Sequence, residues 1–303
     1  MAPSEGLARA SLEVVVAVGR VDRIVEERNI EVGGLPVRYL MGGEGPPLVL
    51  LHALGENALD WRWVLPDLAS THHVYAPDLP GFGGSGKPVA NYSPEFFERF
   101  ILAFLDVLNV ERAVVAGNSL GGLVALRLAL SEPSRVEVLG LIDSAGLGRE
   151  VNYALRQPTL PGHGELAVVL GKTPLGATSR TWLRVPLLFA HPERVPAEWF
   201  EEQQRLTQLP GFLEAVIAAL RAQVNFEGQR EVLLDQLPRL QMPTLIIWGA
   251  SDRIFPKSQA QEASARLKQG SLGIIPDCGH LPHVEQPKRF VSILGEFLGK
   301  CVD

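Results

Sequence analysis

Five residues, Gly117-Asn118-Ser119-Leu120-Gly121, join a short apolar run, Ala113-Val114-Val115-Ala116, to an apolar pattern of helical period over 123–130. Few architectures accept that junction. A buried strand that turns directly into a helix brings the two backbones so close that side chains are excluded at both glycines. The serine is then held in a strained turn, with its hydroxyl thrown clear beside the helix N-terminus. The pentapeptide is short enough to recur by chance, so its meaning depends on what the rest of the chain supplies.

What surrounds it is an alternation of strands and helices. Two strands are expected over 24–31 and 37–41, about the turn Gly33-Gly34, and the run Leu48-Val49-Leu50-Leu51 reads as a strand buried on both faces. A helix over 61–68 and a strand over 73–77 follow. Ser93-Pro94 then opens a helix over 96–108, the hydroxyl as N-cap and proline in the first turn. Strand 113–116, helix 121–131 and strand 136–142 continue the series. It stops at Asp143 and resumes with Thr244-Leu245-Ile246-Ile247-Trp248, then a helix over 258–267, a strand over 272–275 and a helix over 287–298. Such alternation implies a mostly parallel sheet covered on both faces. The hundred or so residues between are helical in pattern but broken by Pro158, Pro161, Pro174, Pro186, Pro192, Pro196, Pro210 and Pro238. A structureless loop of that length is implausible in a compact domain, so an inserted helical lobe is expected.

Composition removes several function classes. Of the 303 residues 46% are hydrophobic and 20% charged, as in ordinary globular proteins, and the net charge of -6 argues against a nucleic-acid or anionic-membrane surface. No apolar stretch approaches the roughly 18 residues of a membrane span, and the apolar patch over 14–18 lacks a basic n-region. Cys278 and Cys301 are too few for a disulfide framework, which fits reduced thiols and a cytoplasmic location. Gly81-Phe82-Gly83-Gly84-Ser85-Gly86-Lys87 imitates a phosphate loop. Pro88, however, stands where magnesium needs Ser or Thr, and no helix opens directly from the loop, so nucleotide binding is not expected. No His, Cys and Asp cluster has metal-ligand spacing, and neither metal nor cofactor is expected.

Serine at its free pKa is a poor nucleophile; it needs a base, and the base an orienting acid. Both should sit on loops at carboxyl ends of strands. Asp252 does, in Gly249-Ala250-Ser251-Asp252, and His280 does, in Cys278-Gly279-His280. The chain order Ser119, Asp252, His280 is the one that a strand–elbow–helix nucleophile uses. Two rivals stay open: Asp143, at the end of strand 136–142, for the acid, and His283 for the base. His52 is expected to hold its loop by a hydrogen bond. Trp182, Phe189, Trp199, Phe200 and Phe212 are expected mainly as the core of the lobe, with one or two lining a pocket.

These segments resemble the α/β-hydrolase family: His52-Ala53-Leu54-Gly55, Asp78-Leu79-Pro80-Gly81-Phe82-Gly83-Gly84-Ser85, the elbow, the Asp252 loop and Gly279-His280. The resemblance implies an eight-stranded, mostly parallel, doubly wound α/β sheet with an inserted helical cap. The core would comprise 26–145 and 240–303 and the cap 146–239, with 1–25 as an N-terminal extension. It also implies an oxyanion hole made by the backbone N–H of Leu120 and of Leu54. Ala53 departs from the glycine common in the family and would be strained at positive φ. The implied function is metal-free hydrolysis of a carboxylic ester or lactone of a small to medium, largely apolar molecule, by a monomer or small homo-oligomer. Alternatives are hydrolysis of a carbon–carbon bond in diketone-type ring-cleavage products, and a ligand-binding receptor on the same fold. Asn118 resembles the carbon–carbon hydrolases, whereas Leu281-Pro282 departs from the tryptophan that they often carry after the histidine. Epoxide hydrolases and dehalogenases place an aspartate where Ser119 stands.

Overall fold

A computed structural model describes residues 25–301, so the extension expected over 1–25 lies, but for Val25, outside the described residues. The strands are β1 (Val25–Val32), β2 (Leu35–Gly42), β3 (Pro47–Leu51), β4 (His73–Pro77), β5 (Ala113–Asn118) and β6 (Val136–Ile142). A two-residue pair, β7 (Val224–Asn225) and β8 (Gly228–Gln229), precedes β9 (Thr244–Gly249) and β10 (Gly270–Ile275). The main sheet has eight strands in the order β1-β2-β4-β3-β5-β6-β9-β10. β1 and β2 pair antiparallel, as do β2 and β4, and every later pairing is parallel. The strands in the middle of this sheet are buried along all or nearly all of their length, which explains why they read as apolar runs rather than alternating ones.

Helices α1 (Leu65–Leu68), α2 (Pro94–Val107) and α3 (Leu120–Ser131) belong to the first half. Ser93 caps α2 as expected, accepting the Phe96 N–H at 3.2 Å. Residues 61–68 are not one helix. A 3-10 turn at Ala58–Trp61 is followed by the single turn of α1, because Asp78 Oδ1 takes the Ala58 N–H at 2.7 Å and Pro66 lies in the first turn of α1. Between β6 and β9 come α4 (Tyr153–Arg156), α5 (His163–Gly171), α6 (Pro174–Leu188), α7 (Ala197–Thr207) and α8 (Phe212–Gln223). α9 (Ser258–Arg266), α10 (Pro282–Glu285) and α11 (Pro287–Cys301) close the chain.

Two apolar layers sandwich the sheet. One runs from α2 and α3 across to Phe189, Trp199 and Phe212 of the inserted helices; the other packs Trp61, Phe290 and Leu294 on the opposite face. Of the five aromatics expected as the lobe's core, Phe189, Trp199 and Phe212 are buried and Phe200 is partly so. Trp182 departs from expectation: it is 59% exposed, lying on the outer side of α6 against Phe200. Among the described residues no helix is long and apolar enough to cross a membrane.

Candidate active site

Because β3, β4, β5, β6, β9 and β10 are parallel, their carboxyl ends open on one edge of the sheet, and every candidate residue lies just beyond such an end. At the elbow, a Cβ on Gly117 would sit 2.2 Å from the backbone of Gly121, and one on Gly121 would sit 2.2 Å from Leu51 O. The glycines are therefore demanded by the close passage of α3 over β3 and β5. Ser119 is forced to φ 54° and ψ -113°, a conformation that L residues avoid. Its N–H donates to Ile142 O at 2.9 Å, and its own carbonyl accepts from Leu123 and Ala145. The hydroxyl makes no capping bond, so Ser119 is not there to cap α3. Leu120 opens that helix, with its amide at the positive end of the dipole.

Asp252 and His280 come together from loops after β9 and β10. His280 Nδ1 lies 2.9 Å from Asp252 Oδ2. Asp252 Oδ1 accepts the N–H of Ile254 at 2.7 Å, so the carboxylate is fixed by its own loop and does not pair with Arg253. Arg253 instead donates to Pro186 O, in α6, at 2.6 Å. The pair is shielded, with side chains 3% exposed at His280 and 0% at Asp252, and Ser119 is buried too, at 8%.

The two rivals have other partners. Asp143 Oδ1 accepts the Gly249 N–H at 2.9 Å, while no N–H or O–H of another described residue reaches its other oxygen. Burial, then the neighbouring Asp252 charge, pushes its carboxyl well above the usual range, which favours the neutral form of Asp143 beside the pair. The donor atoms of Asp143, Asp252 and His280 all lie within 4.8 Å of one another, so Asp143 does come near the histidine, as its place at the end of strand 136–142 suggests. With His280 Nδ1 on Asp252 and Asp143 on Gly249, this cluster is a hydrogen-bond network. His283 is stacked on Trp61 at 4.0 Å beneath the sheet, and burial, then His280, lowers it to about 3. It belongs to the core.

The loop after β3 behaves as expected at His52 and differently at Ala53. His52 Nδ1 lies 2.8 Å from Ala53 O, and its Nε2 accepts the Leu79 N–H at 2.9 Å, which together define a neutral ring donating through Nδ1. Burial lowers its pKa in agreement. Ala53 is not among the residues at positive φ; Gly55, at 72°, makes the turn, so the alanine brings no strain. The glycine-rich run after β4 is structural. Asp78 accepts from Arg38 Nε and Gly84 N–H, each at 2.6 Å, besides Ala58, and so ties that loop to β2 and to the loop after β3.

Three residues to which pattern reading gave no positioning role hold the arrangement together. Asn118 Nδ2 donates to Ile142 O at 3.1 Å and to His280 O at 3.0 Å, binding the elbow to the histidine loop. Glu285 accepts from Gly279 N–H at 2.6 Å, His191 N–H at 2.9 Å and Ala190 N–H at 3.2 Å, tying the same loop to the segment after α6. Glu56 accepts from Gln203 Nε2 at 2.6 Å and Trp199 Nε1 at 3.3 Å, and pairs with Arg184. A single buried carboxylate after an apolar strand carries no sequence signature, because its partners are some 130 to 150 residues away.

The sequence profile described as the alpha/beta hydrolase fold matches residues 46–287. The chain is 32% identical to the 2-hydroxymuconate semialdehyde hydrolase of Pseudomonas sp. (strain CF600) over 283 residues, covering 90% of this chain and 94% of that one. In structure it is similar to the meta-cleavage product hydrolase of Pseudomonas fluorescens IP01, with TM-score 0.77, 26% identity and coverage of 90% and 97%. It is also similar to a membrane phospholipase A described as a bacterial virulence factor, with TM-score 0.77, 28% identity and coverage of 92% and 87%.

Proposed function

The chain belongs to the α/β-hydrolase family, and from that premise we propose that it is a serine hydrolase of a carboxylic ester or lactone on a small to medium, largely apolar molecule. Ser119 Oγ attacks the carbonyl while His280 Nε2 takes its proton. Asp252 holds the imidazole in the tautomer that leaves Nε2 free to accept and stabilises the imidazolium that forms. The N–H groups of Leu120 and Leu54 receive the developing oxyanion, and removal of one such donor typically costs about 2.7–4 kcal/mol. His280 then protonates the leaving group, and water attacks the acyl-enzyme through a second oxyanion. The segment between β6 and β9 acts as the cap that keeps this chemistry from bulk water. The observation that carries the reading is the 2.9 Å bond of His280 Nδ1 to Asp252 Oδ2, on loops at the same sheet edge as the strained Ser119.

Labelling with a fluorophosphonate and turnover of p-nitrophenyl esters test it. Both should vanish in Ser119→Ala while the circular-dichroism spectrum is unchanged; retained labelling or turnover refutes the assignment.

A second reading, hydrolysis of a carbon–carbon bond, is favoured by the likeness to the semialdehyde and meta-cleavage product hydrolases. Asn118 gives it no separate support, since both bonds of its amide N–H group go to backbone carbonyls. A dienone ring-cleavage product and an ester of matched size, assayed side by side, decide between the two by their kcat/KM values.

A further inference from the structure

The loop after β3 begins with a tight turn, Ala53-Leu54-Gly55-Glu56. The Glu56 N–H donates to Ala53 O at 3.2 Å, and φ is 72° at Gly55. That is the pattern of a type II turn, whose closing bond leaves out the N–H of Leu54, the proposed oxyanion donor. The direction of that N–H is therefore set by the tilt of the whole turn. What fixes the tilt is the pair of residues at which the turn ends. Glu56 is 1% exposed and Asn57 0%, an unusual burial for a carboxylate and an amide on a loop.

The partners of both lie on the inserted helices. Glu56 accepts from Gln203 Nε2 at 2.6 Å and Trp199 Nε1 at 3.3 Å and pairs with Arg184, while Asn57 Nδ2 donates to Glu202. Trp199, Glu202 and Gln203 stand three and four residues apart on α7, share one face of it, and are all buried. A Cβ on Gly55 would stand 3.4 Å from side-chain atoms of Arg180 on α6 and Val216 on α8, so the same helices roof the turn. A buried ion pair adds little stability over apolar side chains of equal volume. What hydrogen bonds to a carboxylate add, and apolar packing does not, is direction. Donors from two helices converge on the two oxygens of Glu56, and few positions of the turn satisfy them all.

We propose that Glu56 is a positioning residue, which aims the Leu54 N–H at the oxyanion by fixing its turn to α6 and α7. The oxyanion hole is then complete only while the inserted helices are seated on the core, as the His280 loop is held to the segment after α6 through Glu285. The consequence for catalysis rests on the Ser119 reading above; the attachment of the turn does not.

Two measurements on the full chain test it, in Glu56→Gln and in Gln203→Leu, which alters the link from the helix side and leaves Glu56 and Arg184 in place. Hydrogen exchange read by mass spectrometry should quicken about tenfold or more over 53–57 in both variants, with the elbow at 117–121 unchanged. With 4-nitrophenyl butyrate, kcat should fall about tenfold or more in Glu56→Gln and less in Gln203→Leu, KM staying within about twofold, because the oxyanion forms only after binding. The double variant should lose no more kcat than Glu56→Gln alone, since both changes break one link. Exchange unaltered over 53–57 overturns the proposal, as does a loosened turn with kcat intact. Exchange that quickens equally at the elbow, or a loss confined to KM, assigns Glu56 to general stability and overturns it too. Should Glu56→Gln fail to fold, Gln203→Leu decides both measurements. If Ser119→Ala retains turnover, the nucleophile reading falls, and exchange alone upholds or overturns the attachment of the turn.

Discussion

At the scale of single residues, two buried titratable groups next to the proposed pair respond to pH in opposite senses. His283 has a folded pKa of about 3 against the usual 6.5, so the folded state excludes a proton that the unfolded chain accepts. Its contribution is complete above about 6.5 and declines, by about 1.4 kcal/mol per pH unit, as pH falls toward 3. Urea midpoints between pH 7 and 4 should therefore fall less in His283→Phe than in the parent. Asp143 has the opposite sign. Its folded pKa is raised, so its contribution is complete below the usual carboxyl value and is lost as pH rises through the folded one. Asp143→Asn, which keeps the acceptor for Gly249 N–H and needs no proton, should match or exceed the parent in urea stability at pH 8. Its esterase activity should stay within about threefold, against a fall of about 10⁴ for Asp252→Asn. Loss of activity in Asp143→Asn comparable with that of Asp252→Asn would make Asp143 the orienting acid.

At the scale of elements, the elbow is a contact between backbones. Gly121 meets Leu51 O, and no rotamer can relieve a Cβ placed 2.2 Å from a main-chain oxygen. Gly121→Ala should destabilise by about 3 kcal/mol or prevent folding, as urea unfolding measures. The strands were legible because burial on both faces writes itself as predominantly apolar runs; β4 and β6 have the bounds expected of them, 73–77 and 136–142. Residues 61–68 were misread because an apolar stripe is visible in sequence, whereas the claim of Asp78 on the Ala58 N–H is not. Trp182 was misread for a related reason. Helical period identifies an apolar face without saying whether anything covers it, and on α6 the covered face is that of Ala177, Thr181, Val185 and Leu188.

For the whole molecule, the segment inserted between β6 and β9 and the histidine loop form one mechanical unit. Leu188 O holds the His280 N–H, Pro186 O holds Arg253, and Glu285 accepts three N–H groups, one from the histidine loop and two from the inserted segment. Glu285→Ala leaves those three donors without their acceptor. Stability should fall by about 3 kcal/mol and kcat/KM with it, a joint loss readable from urea midpoints and ester kinetics on one sample. An unaltered kcat/KM would mean that His280 is positioned without the inserted helices.

The sequence by itself determined the sheet, the elbow and the order of Ser119, Asp252 and His280. Those follow from local rules: burial fixes apolar runs, close backbones demand glycine, and loops at strand ends carry chemistry. Only the tertiary structure put Asp252 rather than Asp143 on His280 Nδ1, stacked His283 on Trp61, and freed Ala53 of strain. Each of those is a matter of which distant groups share a low-dielectric space. Hydrogen-bond partners and charge balance there are set by residues tens to hundreds of positions apart, so no local pattern encodes them.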